Sequence, residues 1–172
     1  MKAAARRFTA RAGLQRGLAA LEFVFVFPVL FAIFYAIVSY GLIIATQQTL
    51  TLAAAEGARA ALRYPANPSS VADSISKRVA TACSVAKLQL QAFKGGLGTQ
   101  GACASSGTAH GVYVANAVCP YAGSGTAQCV TVTIRYDYTA NQLVPNLPGG
   151  LLPMPPALQA TAVVQINPEY VL

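Results

Sequence analysis

The feature that most constrains this chain is an uncharged apolar run from Phe23 to Ala45. Only Pro28, Ser39 and Gly41 in this run fall outside the apolar residue types. A helix of this length extends roughly 35 Å, and the hydrocarbon core of a bilayer is about 30 Å thick. The run therefore predicts a membrane-spanning helix, kinked at Pro28 because the ring removes a backbone hydrogen bond. The alternative is a buried helix of a soluble protein, where uncharged runs this long are rare.

The charges are distributed unevenly around this run. Residues 1–16 carry five basic side chains and no acidic one, whereas the rest of the chain carries seven basic and five acidic side chains. Most of the net charge of +7 therefore belongs to the N-terminus. Basic residues before a span favour a cytoplasmic N-terminus and an exported C-terminal part. Because membrane orientation explains these charges, we expect no nucleic acid among the partners.

Ordinary secretory cleavage is another interpretation of the N-terminus. Signal peptides have apolar regions of about 7–15 residues that end in a small-residue cleavage site. The run here is longer, and the small residues at 53–55 lie well beyond its end. We therefore expect the run to remain in the mature protein.

Glu22 is the one charged residue between Arg16 and Glu56, and it stands at the entrance of the predicted span. An unpaired carboxylate inside a membrane costs several kcal/mol. Glu22 either stays at the level of the headgroups or pairs with a cation. That cation would come from the leader, from another subunit or from a newly made N-terminus, and the residues alone leave these alternatives open.

The sequence GLAALEF at residues 17–23 resembles the processing site of type IV prepilins. In that family a basic leader ends in Gly, cleavage follows the Gly, and Glu is the fifth residue of the mature chain. Here Leu18 would be the first residue and Glu22 the fifth. The resemblance implies that a membrane-embedded prepilin peptidase cuts between Gly17 and Leu18, and that Glu22 neutralises the new amine on Leu18.

A longer stretch resembles the TadE-like family, the minor pilins or pseudopilins of the tight-adherence (Flp) pilus. It runs from residues 16–23 through Pro28 and Gly41 to AAEGARAA at residues 54–61. The segments 130–138 and 160–164 also resemble the C-terminal strands of that family. Phe23, where many major pilins have Tyr, and the length of the chain favour a minor pilin over the major one.

This resemblance implies a structural subunit or assembly primer of the pilus. The implied partners are the prepilin peptidase, a TadF-like minor pilin, the major Flp pilin and the inner-membrane assembly platform. The implied location is the bacterial inner membrane, with a single span and a periplasmic head, before entry into an extracellular pilus. An alternative leaves the span uncleaved, as a permanent anchor of the same machinery.

The exported part predicts an α+β head. We divide the chain into a leader at residues 1–17, which is removed, a membrane-spanning and spine helix at 18–63, and the head at 64–172. Apolar and small residues at helical spacing predict one buried face of the spine; they are Leu50, Ala53, Ala54, Gly57, Ala58 and Ala61.

Patterns in the head predict a second helix and a small, mainly antiparallel sheet. The helix follows a capping box at Ser70 and Asp73, and its core stripe is Val71, Ile75, Val79, Ala82, Cys83 and Ala86. Alternation predicts strands from residue 87, at 112–118, at 130–138 and at 157–166. Five prolines between residues 141 and 156 predict a stiff connection.

Four cysteines lie in the exported part, where an oxidising periplasm lets them pair. Cys119 and Cys129 flank a turn between two predicted strands, which leaves Cys83 for Cys103. Three pairings are formally open, and we favour Cys83–Cys103 with Cys119–Cys129.

Catalytic and cofactor motifs are weak, so we expect no enzyme, no cofactor and no metal. The sequence GLGTQG at 96–101 spells a dinucleotide fingerprint, but no helical pattern follows it. There is no Cys-x-x-Cys, and the single histidine, His110, stands in a predicted loop. A membrane-anchored periplasmic hydrolase is the weaker hypothesis, because it needs a triad that the sequence does not reveal.

Overall fold

The structure is a computed structural model that describes residues 12–91, 93, 96–97, 103–121, 127–145 and 152–166. Most of the predicted leader, most of the glycine-rich motif at 96–101 and the turn at 122–126 lie outside these residues. The elements in chain order are α1 (Ala12–Ala60), α2 (Val71–Gln89), β1 (Gly111–Val118), β2 (Gln128–Asp137) and β3 (Ala157–Ile166). The predicted α+β class, with a long apolar helix and an antiparallel sheet, is confirmed.

The chain divides into two compact units, Met1–Gly41 and Leu42–Leu172. In the first unit the described residues are helical, and α1 contains Pro28. Aromatic rings stack one turn apart along it, with centroids 5.2 Å apart for Phe23 and Phe27 and 6.2 Å apart for Phe27 and Phe31. Among the described residues, α1 is the one helix long and apolar enough to cross a membrane. This fits a single-pass membrane protein.

The second unit begins with the last part of α1, whose small-residue face is buried as predicted. All six predicted positions from Leu50 to Ala61 are buried. At Gly57, an added Cβ would lie 2.9 Å from the Cβ of Ala86 and 3.0 Å from the carbonyl oxygen of Ala82. Glycine therefore permits the close approach of α1 and α2. The helix ends at Ala60, three residues before the expected boundary at residue 63, through a turn that closes at residues 61–63.

Helix α2 starts as predicted but buries a different face near its N-terminus. The Ser70 hydroxyl caps it by accepting from the Asp73 backbone N–H at 3.2 Å. The Asp73 carboxylate accepts from the backbone N–H of Ser69 rather than from Ser70, so the capping box is displaced by one residue. The predicted stripe is wrong at Val71, which is exposed; the buried residues are Ser74, Arg78, Ala82, Cys83 and Ala86.

The strand predicted from residue 87 is wrong. Residues 87–89 complete the last turn of α2, and the backbone N–H of Leu90 closes that turn by donating to the Lys87 carbonyl. Leu90 is buried and Leu88 is exposed. The alternation of leucine and glutamine there is equally compatible with a helix end that turns one leucine inwards.

The three strands form one antiparallel sheet in the order β1-β2-β3. Even-numbered side chains of β2, from Val130 to Tyr136, are fully buried in the core, whereas Thr131, Thr133 and Arg135 on the other face are partly exposed. This alternation is the period of a half-buried strand. In the register, Arg135 lies opposite Gly111 on β1 and opposite Gln159 on β3.

Two disulfides are present, with the pairing that the sequence favoured. Cys83 of α2 is bonded to Cys103, and their Cα atoms are 5.9 Å apart. Cys119 and Cys129 are bonded across the β1-β2 connection, with Cα atoms 5.0 Å apart.

Candidate processing site and polar cleft

The predicted processing site lies on helical backbone. Gly17 and Leu18 are both within α1, which begins at Ala12. The Leu18 side chain is 64% exposed. The peptide bond between these residues is therefore part of a helix in the uncleaved chain.

Glu22 follows Leu18 by one helical turn, and its side chain is exposed. Residues four apart on a helix share a face, with Cβ atoms about 5–6 Å apart. An amine created on Leu18 would therefore lie within reach of the Glu22 carboxylate. In a chain cleaved after Gly17 the sequence offers no other cation nearby, because no Lys or Arg occurs between Leu18 and Arg59.

Arg78 is a buried cation that sequence patterns did not reveal. Its side chain is 3% exposed, and Nη1 donates to the carbonyl oxygen of Ala61 at 3.0 Å. The guanidinium also lies 5.3 Å from the ring centroid of Tyr64. The last carbonyls of a helix lack helical donors and carry partial negative charge. Arg78 thus attaches the end of α1 to α2. The one sequence pattern that could have indicated this buried site is the pair of polar residues Ser74 and Arg78, four apart on α2.

The structure also brings together residues that sequence reasoning had left scattered. Thr108, Ala109, His110, Arg135, Asp137, Thr139, Pro156 and Ala157 line a cleft of about 240 Å³. The Nδ1 atom of His110 accepts from the backbone N–H of Asp137 at 3.2 Å. His110, in the loop before β1, is thus held against the end of β2.

Two carboxylates of the head, Asp137 and Asp73, are held in their charged form by hydrogen-bond donors. The Thr139 hydroxyl, at 2.6 Å from Asp137 Oδ1, and the Ala140 backbone N–H lower the pKa of Asp137. The Ser69 backbone N–H and the Lys77 ammonium lower the pKa of Asp73 in the same way. Both groups therefore remain anionic across the neutral and mildly acidic range.

Metal-binding groups are sparse in the part of the chain that the structure describes. No cluster of three or more His, Cys, Asp or Glu side chains there could hold a metal ion. All four cysteines are engaged in disulfides.

The comparisons with known proteins concern the N-terminal helix. The family model described as TadE-like protein matches residues 17–59. The match starts at Gly17 and includes Glu22, and the expected resemblance is confirmed over this segment. No curated protein and no solved structure matches the chain.

Proposed function

We propose that this chain is a minor pilin or pseudopilin of a tight-adherence (Flp) pilus, and that it acts as a structural subunit or assembly primer after cleavage between Gly17 and Leu18. The observation that carries the proposal is the family match, which begins at Gly17 and contains Glu22. The apolar helix that follows is long enough to hold such a subunit in the membrane before assembly.

Cleavage hydrolyses the peptide bond between Gly17 and Leu18, leaving a carboxylate on Gly17 and an ammonium on Leu18. A peptidase reads an extended substrate, so the helix must unwind around this bond. Glycine favours that step because it destabilises a helix by about 1 kcal/mol relative to alanine. The released leader removes the five basic residues that oriented the span.

Glu22 then neutralises the new ammonium, in its own chain or in an adjacent subunit. Opposite charges attract more strongly where water is scarce than in bulk solvent. Pairing reduces the cost of carrying a carboxylate into an apolar helix assembly. The i, i+4 spacing of Leu18 and Glu22 on α1 supports this role.

The proposed partners are the prepilin peptidase, a TadF-like minor pilin, the major Flp pilin and the inner-membrane assembly platform. The proposed topology places the N-terminus in the cytoplasm and the head in the periplasm. Two disulfides in the head support this topology, because such bonds persist in oxidising compartments.

The first prediction tests the cleavage. Coexpression with a cognate prepilin peptidase should yield a protein whose intact mass corresponds to a chain starting at Leu18. Gly17→Leu should block the cut, because the added side chain obstructs the extended substrate. Gly13→Leu, four residues earlier in the leader, is the matched control and should be cleaved normally. A wild-type chain that still begins at or near Met1 would contradict the proposal.

The same cells separate cleavage from assembly. Glu22→Gln should be cleaved but lost from sheared pili, whereas the matched change Glu56→Gln should leave incorporation intact. If Gly17→Leu cells remain fully piliated, the alternative of an uncleaved membrane anchor is favoured instead.

A further inference from the structure

The polar cleft of the head lies next to the residues that leave the apolar run. Gln47 comes two residues after Ala45, and its Nε2 donates to the carbonyl oxygen of Gln159 at 2.7 Å. Headgroup layers extend several ångströms beyond the hydrocarbon core. If α1 spans the membrane, as the proposed function requires, the first residues of β3 lie at the level of the headgroups.

Gln159 links this boundary to a cation. Its Oε1 accepts from Nη1 of Arg135 at 3.0 Å, across the β2-β3 pair. Within the described part of the chain, no other side chain pairs with the Arg135 guanidinium. The guanidinium is thus held in place by one bond and keeps further N–H donors for a ligand.

An anion lies on the same face of β2. Asp137 is two residues along the strand from Arg135, which corresponds to about 6.6 Å. The Thr139 hydroxyl and the Ala140 backbone N–H both donate to its Oδ1. Both side chains line the cleft of about 240 Å³, which has room for roughly eight water molecules.

We propose that this cleft binds the zwitterionic phosphoethanolamine headgroup of phosphatidylethanolamine. The Arg135 guanidinium donates to the phosphate oxygens, and the second carboxylate oxygen of Asp137, Oδ2, accepts from the ammonium. A zwitterion fits because Arg135 supplies a fixed cation and Asp137 a fixed anion, with His110 beside them in the same cleft. Phosphatidylglycerol has no ammonium for Asp137, and the quaternary nitrogen of phosphatidylcholine has no N–H to donate.

The test is native mass spectrometry of the full chain in detergent with equimolar phosphatidylethanolamine, phosphatidylglycerol and phosphatidylcholine. The wild type should retain phosphatidylethanolamine about tenfold more than either competitor, the value of one charge-assisted hydrogen bond. Arg135→Gln should lose this retention, whereas Arg59→Gln, the same change at an exposed arginine, should keep it. Asp137→Asn should bind phosphatidylcholine and phosphatidylethanolamine equally, with Asp73→Asn as its control.

Equal retention of the three lipids by the wild type would overturn the proposal, as would identical behaviour of Arg135→Gln and Arg59→Gln. If soluble glycerophosphoethanolamine binds as tightly as the lipid, the cleft recognises a free phosphoethanolamine compound, and the proposed binding of a membrane lipid is wrong. Thermal unfolding checks that each variant is folded. If Asp137→Asn is not folded, the comparison of Arg135→Gln with Arg59→Gln tests the proposal. Release of the protein from membranes by alkaline carbonate would refute the proposed function. A protein that stays in the membrane but shows no lipid preference would refute this inference alone.

Discussion

Tyr136 and Tyr138 have the same side chain in the same buried environment but differ in one hydrogen bond. Their ring centroids are 6.4 Å apart, and both rings are almost fully buried. The Tyr136 hydroxyl donates to the carbonyl oxygen of Asn141 at 2.6 Å. The Tyr138 hydroxyl is buried without a partner among the described residues. Burial of an unpaired hydroxyl is costly, so the two groups affect the stability of the head in opposite directions.

The two tyrosines should therefore respond differently to the loss of their hydroxyl groups. Tyr138→Phe should leave the free energy of unfolding unchanged or raise it by up to about 1 kcal/mol, because no bond is lost. Tyr136→Phe should lower it by about 1 kcal/mol, because the Asn141 carbonyl loses its donor. Denaturant unfolding of the oxidised protein measures both. Equal losses for the two variants would show that the Tyr138 hydroxyl does have a partner.

Burial that follows from a local sequence pattern was predictable, whereas contacts between residues far apart in the sequence were not. Helical spacing identified Gly57 and its neighbours as buried. Arg78 was missed because its acceptor, the Ala61 carbonyl, is 17 residues away and appears only when the two helices meet. His110 was missed as a cleft residue because its partner at Asp137 is 27 residues away, on another element.

At the scale of elements, Gly57 determines how closely α1 can approach α2. A methyl group there would lie 2.9 Å from the Ala86 Cβ, closer than real Cβ atoms come. The helix itself would gain about 1 kcal/mol from alanine in place of glycine. Overpacking in a tight core costs about 1–3 kcal/mol, so the interface outweighs the propensity.

Gly57→Ala should therefore lower the free energy of unfolding of the head by about 1 kcal/mol. Gly41→Ala is the matched control in the same helix, because nothing lies within 4 Å of the Cβ it adds. That variant should leave the melting temperature of the head unchanged. Thermal unfolding followed by circular dichroism measures both, and a Gly57→Ala head that melts above the wild type would contradict this account.

Strand predictions succeeded where alternation coincided with turn signals. The predicted strand at 157–166 matches β3 in full, and the prediction at 112–118 misses only Gly111 of β1. Alternation failed at residues 87–92, because α2 retains its hydrogen bonds to its end and Leu90 reaches the core as the helix closes. Period alone cannot separate a short strand from the last turn of a helix.

At the scale of the whole molecule, the lowered pKa values of Asp73 and Asp137 link stability to acidity. A carboxyl with a lower pKa in the folded chain binds fewer protons there than in the unfolded chain. Its contribution is present above the unfolded pKa of about 4 and is lost as the pH falls through the folded pKa. The head should therefore be stable at neutral pH and weaken in strong acid.

Asp73 and Asp137 should make the head sensitive to acid. The melting temperature of the wild type should fall between pH 6 and pH 2.5, and the fall should be smaller for the double variant Asp73→Asn with Asp137→Asn. Glu56→Gln is the control, because its carboxylate lies in an exposed pair with Arg59. If the double variant and the control lose stability equally in acid, these two carboxylates do not determine the response.

The general architecture could be predicted because hydropathy and charge act on long segments. The apolar run and the family match both lie at the N-terminus, within residues 17–59. The cleft could not be predicted, because it needs the β2-β3 register that places Arg135 opposite Gln159. That register emerges from packing of the sheet as a whole.

The two disulfides have a consequence for the lifetime of the protein. Cys83–Cys103 encloses a separation of 20 residues and Cys119–Cys129 one of 10. A protease that cuts once inside either enclosed segment would nick the chain without releasing a fragment. A nicked molecule would run as one band on a gel until a thiol reductant separates it. Such cuts would then accumulate without loss of the surface that the folded head presents.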